Sequence, residues 1–203
     1  MTLTVTSCDG GVLLNWSSYG GAGFHQYAAL RSGAGFDMPA TYPPSGGVSA
    51  VAASVTSSLG LTSTVDRTLA VGDTAVYRAG AWNAKGQLIG DSAGHAGTRK
   101  ATALLDGFTV TPVAGGIHAS WIPYAGSSTC FTTYRVSWSA TSADVSYLGA
   151  HEGSADNSTQ TGADANGTLA AGTYHVRAEV IRTTELESFV VAASAVKTVT
   201  VSP

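Results

Sequence analysis

The chain repeats itself, and that constrains its fold more than any other feature. Residues 3–19 read LTVTSCDGGVLLNWSSY, and residues 108–124 read FTVTPVAGGIHASWIPY. Without a gap, Thr4, Val5, Thr6, Gly10, Gly11, Trp16 and Tyr19 fall on Thr109, Val110, Thr111, Gly115, Gly116, Trp121 and Tyr124. After a two-residue insertion in the second copy, Phe24-His25-Gln26-Tyr27 aligns with Phe131-Thr132-Thr133-Tyr134. Leu69-Ala70-Val71-Gly72 matches Leu169-Ala170-Ala171-Gly172, and Tyr77-Arg78-Ala79 matches Val176-Arg177-Ala178. Matching blocks in the same order mean two copies of one fold. They divide the chain into domains 1–104 and 105–203. His95-Ala96-Gly97-Thr98-Arg99-Lys100 reads as a short polar linker, which predicts an extended, semi-rigid pair.

Each copy is expected to be an antiparallel β-sandwich. Helical spacing of apolar residues is scarce, whereas period-2 alternation recurs. Val12, Leu14 and Trp16 point to one face of a strand, and Ile117, Ala119 and Trp121 repeat this. Tyr27, Ala29 and Arg31 match Tyr134, Val136 and Trp138 on the next strand. Alternation with one polar face indicates antiparallel sheets that are wet on one side. Turn sequences such as Asp9-Gly10-Gly11 and Asn83-Ala84-Lys85-Gly86 separate the runs. About seven short strands per ~100 residues suit an all-β sandwich.

Composition narrows the partners. Apolar residues make up 44% of the chain, enough for a core, while charged residues are only 11% and net charge is −3. Lys and Arg are thinly spread, so neither nucleic acid nor an anionic membrane surface is an expected partner. No apolar run approaches the roughly 18 residues of a membrane span. Met1 leads straight into an alternating strand, so the chain reads as a piece of a larger protein whose signal or anchor lies elsewhere. A bacterial source is expected from the Gly/Ala/Ser/Thr-rich composition.

The spaced residues resemble the fibronectin type III family. Strand B of that family is apolar-x-apolar-x-Trp, as in Val12-Leu13-Leu14-Asn15-Trp16 and Ile117-His118-Ala119-Ser120-Trp121. Its strand C is Tyr-x-Val-x-aromatic, as in Tyr134-Arg135-Val136-Ser137-Trp138. The first copy's run from Leu69 to Gly86 follows the family's F–G pattern, but Ala75 stands at the tyrosine-corner position that Tyr174 fills in the second copy. Segment 32–58, with Pro39, Pro43 and Pro44, is longer than family strands and loops need, so it is irregular or an added feature. No Arg-Gly-Asp motif is present.

In the fibronectin topology, the A–B turn lies where the chain leaves a domain and the B–C loop where it enters. Cys8 falls in the first copy's A–B region, and Cys130 in the second copy's B–C loop. The resemblance therefore implies a Cys8–Cys130 disulfide and an extracellular or cell-surface location; two free thiols are the alternative.

Chemistry-bearing constellations are sparse. His25, His95, His118, His151 and His175 show no metal-ligand spacing and read as outward or loop residues, so no metal or cofactor is expected. No nucleophile elbow or carboxylate pair stands out, and the chain is read as a non-enzyme. The loops Ser154–Thr159 and Gly162–Thr168 offer oxygen atoms but few carboxylates, and read as turns rather than a calcium site. The triplets beginning at Asn15, Asn157 and Asn166 match the glycosylation sequon and are read as coincidence. Trp82 is out of phase with Tyr77, Ala79 and Ala81, and is expected to be exposed. Together with the loop residues Tyr42 and Tyr147 it is a candidate ligand-stacking aromatic. The expected function is a monomeric, non-catalytic extracytoplasmic spacer, stalk or adhesive pair with a protein or glycan partner. Carbohydrate-binding accessory domains and a sensory ectodomain are the alternatives.

Overall fold

The computed structural model describes residues 1–157, 162–165 and 169–202. The chain divides into two compact units: Met1–Ala101 with Thr183–Ser188, and Thr102–Arg182 with Phe189–Pro203. The first contains β1 (Leu3–Cys8), β2 (Gly11–Trp16), β3 (Gln26–Ser32), β4 (Ser49–Ala50), β5 (Ser63–Asp66), β6 (Thr74–Trp82), β7 (Leu88–Asp91) and β8 (His95–Thr98). The remaining strands are β9 (Ala103–Leu104), β10 (Thr109–Val113), β11 (Gly116–Ser120), β12 (Thr133–Ser139), β13 (Gly153–Asn157), β14 (Gly162–Ala165), β15 (Gly172–Thr183), β16 (Ser188–Ala193) and β17 (Lys197–Val201). No α-helix occurs among the described residues.

In the first unit, β1-β2-β5 form one sheet and β4-β3-β6-β7 the other, with β8 also on β6. In the second, β10-β11-β14 form one sheet and β13-β12-β15-β16-β9 the other, with β17 also on β15. Strands β1 to β8 thus recur, one for one, as β10 to β17. The repeat seen in the letters is a repeat of topology, and the chain is all-β as its alternation requires. Gly10 and Gly115 hold matching positions in the turns before β2 and β11, with φ of 82° and 65°, a region that side chains with a Cβ rarely adopt.

The first core lies between its sheets. Val12, Leu14 and Trp16 of β2 face Tyr27 and Ala29 of β3 and Tyr77, Ala79 and Ala81 of β6. In the second unit, Ile117, Ala119, Trp121, Tyr134, Val136, Val176, Ala178 and Val180 are likewise buried. Burying one such aliphatic side chain is worth about 1.5–3 kcal/mol. These are the alternating positions on which the sequence reading rests.

Two expectations are corrected. His95–Thr98 is not linker but β8, paired with β6 from Thr74↔Thr98 to Tyr77↔His95. Its apolar signal is missing because Gly97 lies against the core: a Cβ there would stand 2.6 Å from both Val5 Cγ1 and Val12 Cγ1. Trp82 is not exposed but fully buried. Its phase is opposite to Tyr77, Ala79 and Ala81, as read, but the face it occupies is not wet. With Ala28 and Leu30 it forms a second small core, packed by Phe36, Met38, Tyr42, Val48, Ala50 and Leu88. Val51 packs into the inner core, and the stretch before it, residues 36–50, is a cover over the outer face of the β3–β6 sheet. It is stitched down by Tyr42 N–H to the Gly86 carbonyl (2.8 Å) and Leu88 N–H to the Ala40 carbonyl (2.9 Å).

Trp82→Ala empties the centre of this outer core. We expect a loss of about 3–5 kcal/mol in denaturant unfolding. Val113→Ala, at an exposed edge position, is expected to change stability by less than about 0.5 kcal/mol.

Candidate functional site

Cys8 and Cys130 are each 1% exposed. Both are disulfide-bonded and no cysteine is free, so the chain carries the Cys8–Cys130 bond.

The three candidate stacking aromatics do not form an exposed platform. Trp82 is buried, and half-buried Tyr42 lies against it with ring centroids 5.3 Å apart. Tyr147 belongs to the other unit. Its ring sits 4.2 Å under the Arg135 guanidinium and 5.5 Å from the His151 ring. His25, His95, His118 and His151 are exposed and His175 is half-buried. No group of three or more His, Cys, Asp or Glu could hold a metal among the described residues. The calcium-loop and sequon readings at residues 158–161 and 166–168 lie outside the described residues. Asp156 is ion-paired to Arg135, and Asn15 sits within β2 between Thr4 and Ser63.

Two buried polar clusters carry the electrostatics. In the first unit, Arg31 follows Tyr27 and Ala29 inward at the end of β3. Its charge is met there by Asp66 on β5 of the facing sheet, which is fully buried. Tyr77 hydroxyl donates to Asp66 Oδ2 at 3.0 Å, and the Thr68 amide and hydroxyl donate to Oδ1, each at 2.9 Å. Burial acts to raise the Asp66 pKa, but the bonds from Thr68 and Arg31 outweigh it and hold the carboxyl below the usual range. Burial, with the Asp66 charge beside it, pushes the Tyr77 phenol up. All partners come from the chain itself, so this cluster is an inter-sheet tie.

The second cluster lies on the outer face of β12 and β15, beneath segment 140–152. Arg135 stands opposite Glu179, and Ser137 opposite Arg177. Glu179 is 1% exposed. Its Oε2 accepts from the Tyr147 amide at 2.7 Å, and Arg177 Nε approaches Oε1 at 3.8 Å. Burial raises the Glu179 pKa against the opposing pull of the Tyr147 amide, Arg177 and His151. Ser137 Oγ is buried without a hydrogen-bond partner, a defect that costs about 1–3 kcal/mol. The segment is closed at its root by Glu152. Its carboxylate accepts from the Thr141 hydroxyl, the Ala140 amide (2.9 Å) and the Ser139 hydroxyl (2.9 Å), which bring its pKa down to about 2.

The same sheet face differs between the copies. Ala28, Leu30 and Gly80 in the first unit stand where Arg135, Ser137 and Glu179 stand in the second, given the matches of Tyr27 with Tyr134 and Ala79 with Ala178. A Cβ on Gly80 would lie 2.3 Å from Met38 Cε and from Trp82 Cη2, so the apolar cover needs glycine there. Sequence reading missed Glu179 because it took β15 only by its inward residues; charged residues at the register-paired positions 135 and 179 were the available signal. It also missed Ser92 and Ser194. Each is buried and donates to the next residue's carbonyl, while its Oγ accepts from Ala79 N–H (2.9 Å) or Ala178 N–H (3.0 Å).

No protein-family model matches the chain, and no curated protein matches it. Among solved structures it is similar to the crystal structure of chicken CNTN1 FN1-FN3 domains, with a TM-score of 0.43 and 12% identity. The match covers 98% of this chain and 66% of that chain. The observed sheets give an all-β fold compatible with fibronectin type III and immunoglobulin-like sandwiches.

Arg31→Ala leaves Asp66 as a buried carboxylate without its cation, and is expected to cost about 3–5 kcal/mol. Because the folded Asp66 pKa is below its unfolded value of 3.8, its contribution is present above that pH and is lost as pH falls through the folded pKa. Urea titrations on the acid side should therefore show a stability slope that Asp66→Asn makes shallower.

Proposed function

We propose that the chain is a non-catalytic, extracytoplasmic structural or interaction module, serving as spacer, stalk or adhesive pair within a larger secreted or surface-anchored protein. The observation that carries this reading is the Cys8–Cys130 disulfide. Such bonds form and persist in oxidising compartments and are rare in the cytosol. It closes a loop of about 120 residues, for which chain entropy gives about 4–5 kcal/mol of stabilisation. The buried carboxylates support a structural role. Asp66 is held by the protein's own donors, and Glu179 lies beneath the chain's own 140–152 segment. The partner is a protein or glycan at the cell surface, met by a chain in which no helix of the described residues is long and apolar enough to cross a membrane.

The test is an intact mass of the protein isolated from its native compartment, alkylated with and without prior reduction. The expected outcome is no label on the unreduced chain and two labels on the reduced one, together with a lower midpoint of thermal unfolding after reduction. Two labels without reduction would contradict the extracytoplasmic assignment.

A further inference from the structure

The two units cover equivalent sheet faces by different means. The first uses Phe36, Met38 and Tyr42 over Trp82, an apolar seal. The second uses segment 140–152, which is held over the sheet by a buried carboxylate and stacked charges. Below it, the Ser137 hydroxyl is left without a partner. Of this segment Val145 is fully buried, while the contacts of Tyr147 to the sheet below are polar and charged. We propose that segment 140–152 is a pH-set cover of the second unit, closed more tightly in weak acid than at mildly alkaline pH, which bares the Arg135–Ser137–Arg177 strip when it lifts.

The sign follows from Glu179. Closed, its carboxyl is buried under the segment; open, it meets water. Facing it are Arg177 on its own strand, Arg135 on β12 with Asp156 of β13 paired to that arginine, and Tyr147 and His151 on the cover itself. β16, Ser188–Ala193, supplies no titratable group. Burial favours the neutral acid, so the closed state is favoured at low pH and loses ground as pH rises through the closed-state pKa. The arginines keep their charge throughout. The root is held by Glu152, whose pKa of about 2 leaves it ionised across the whole window.

The experiment is hydrogen exchange with mass spectrometry on the full oxidised chain between about pH 5 and about pH 8, corrected for intrinsic exchange. A pKa difference of one unit between the two states is worth up to about tenfold in the opening equilibrium. Protection of peptides within 142–150 should therefore be at least about threefold higher at the acid end, whereas the apolar cover 36–48 should change by less than about twofold. Glu179→Gln should retain protection and lose its pH dependence. A flat wild-type profile, or one falling toward acid, overturns the proposal, as does a pH response that survives in a folded Glu179→Gln. If that variant does not fold, the wild-type profile decides alone, with segment 36–48 as its internal reference.

Discussion

Each unit hangs on one aromatic contact between its two sheets. Trp16 at the end of β2 meets Tyr27 at the start of β3 with ring centroids 6.0 Å apart; Trp121 meets Tyr134 at 5.2 Å. A second ring closes on the same tyrosine, from Phe24 at 4.5 Å or Phe131 at 4.9 Å. The buried tyrosine hydroxyl must be satisfied. In both units it accepts the amide of the loop tyrosine between the strands, Tyr19 at 2.6 Å or Tyr124 at 2.9 Å. The indole N–H groups of Trp16 and Trp121 have no partner, so these rings contribute apolar mass. Once the contact is made, register follows, because a one-residue slip of β2 or β3 turns every inward side chain outward.

Other constraints are met differently in the two copies. The turn before β15 is held by Tyr174, whose hydroxyl donates to the Ala170 carbonyl four residues upstream at 3.0 Å. In the first copy Ala75 stands in its place, and a side chain from beyond β8 holds the turn one residue earlier: Arg99 donates to the Leu69 carbonyl at 2.5 Å. Arg99 is also tied through its backbone to Gly72 and Asp73. The residue that looked like linker is what holds that turn.

The inner faces were legible in the sequence because burial on one side of a strand forces period-2 alternation, and the repeat supplied the alignment twice. The outer faces were not. Trp82 was correctly placed opposite the core, but alternation says only which face a residue is on, not whether another segment lies over it. Nothing local marks Phe36, Met38 and Tyr42 as cover residues, since they contact strands distant in sequence. β8 was hidden because Gly97 gives its space to Val5, Val12 and Tyr77 and so removes the apolar letter that would have announced a strand. The alternation places Arg31 on an inward position but does not show its partner, since Asp66 lies 35 residues away on the facing sheet.

On the outer sheet face the copies diverge at a few positions. With glycine at 80, an indole and a thioether fill the space over β6, and the cover is fixed by hydrophobic burial and packing. A glutamate at 179 makes that solution impossible. A carboxyl on the face must be neutralised, hydrogen-bonded or hydrated, and each option depends on solvent conditions in a way that an apolar contact does not. The second copy answers with the Tyr147 amide and Arg177, and secures the base of the covering segment through a carboxylate of opposite behaviour at Glu152. Both units keep the same aromatic tie and strand order, while their outer faces are covered in different ways.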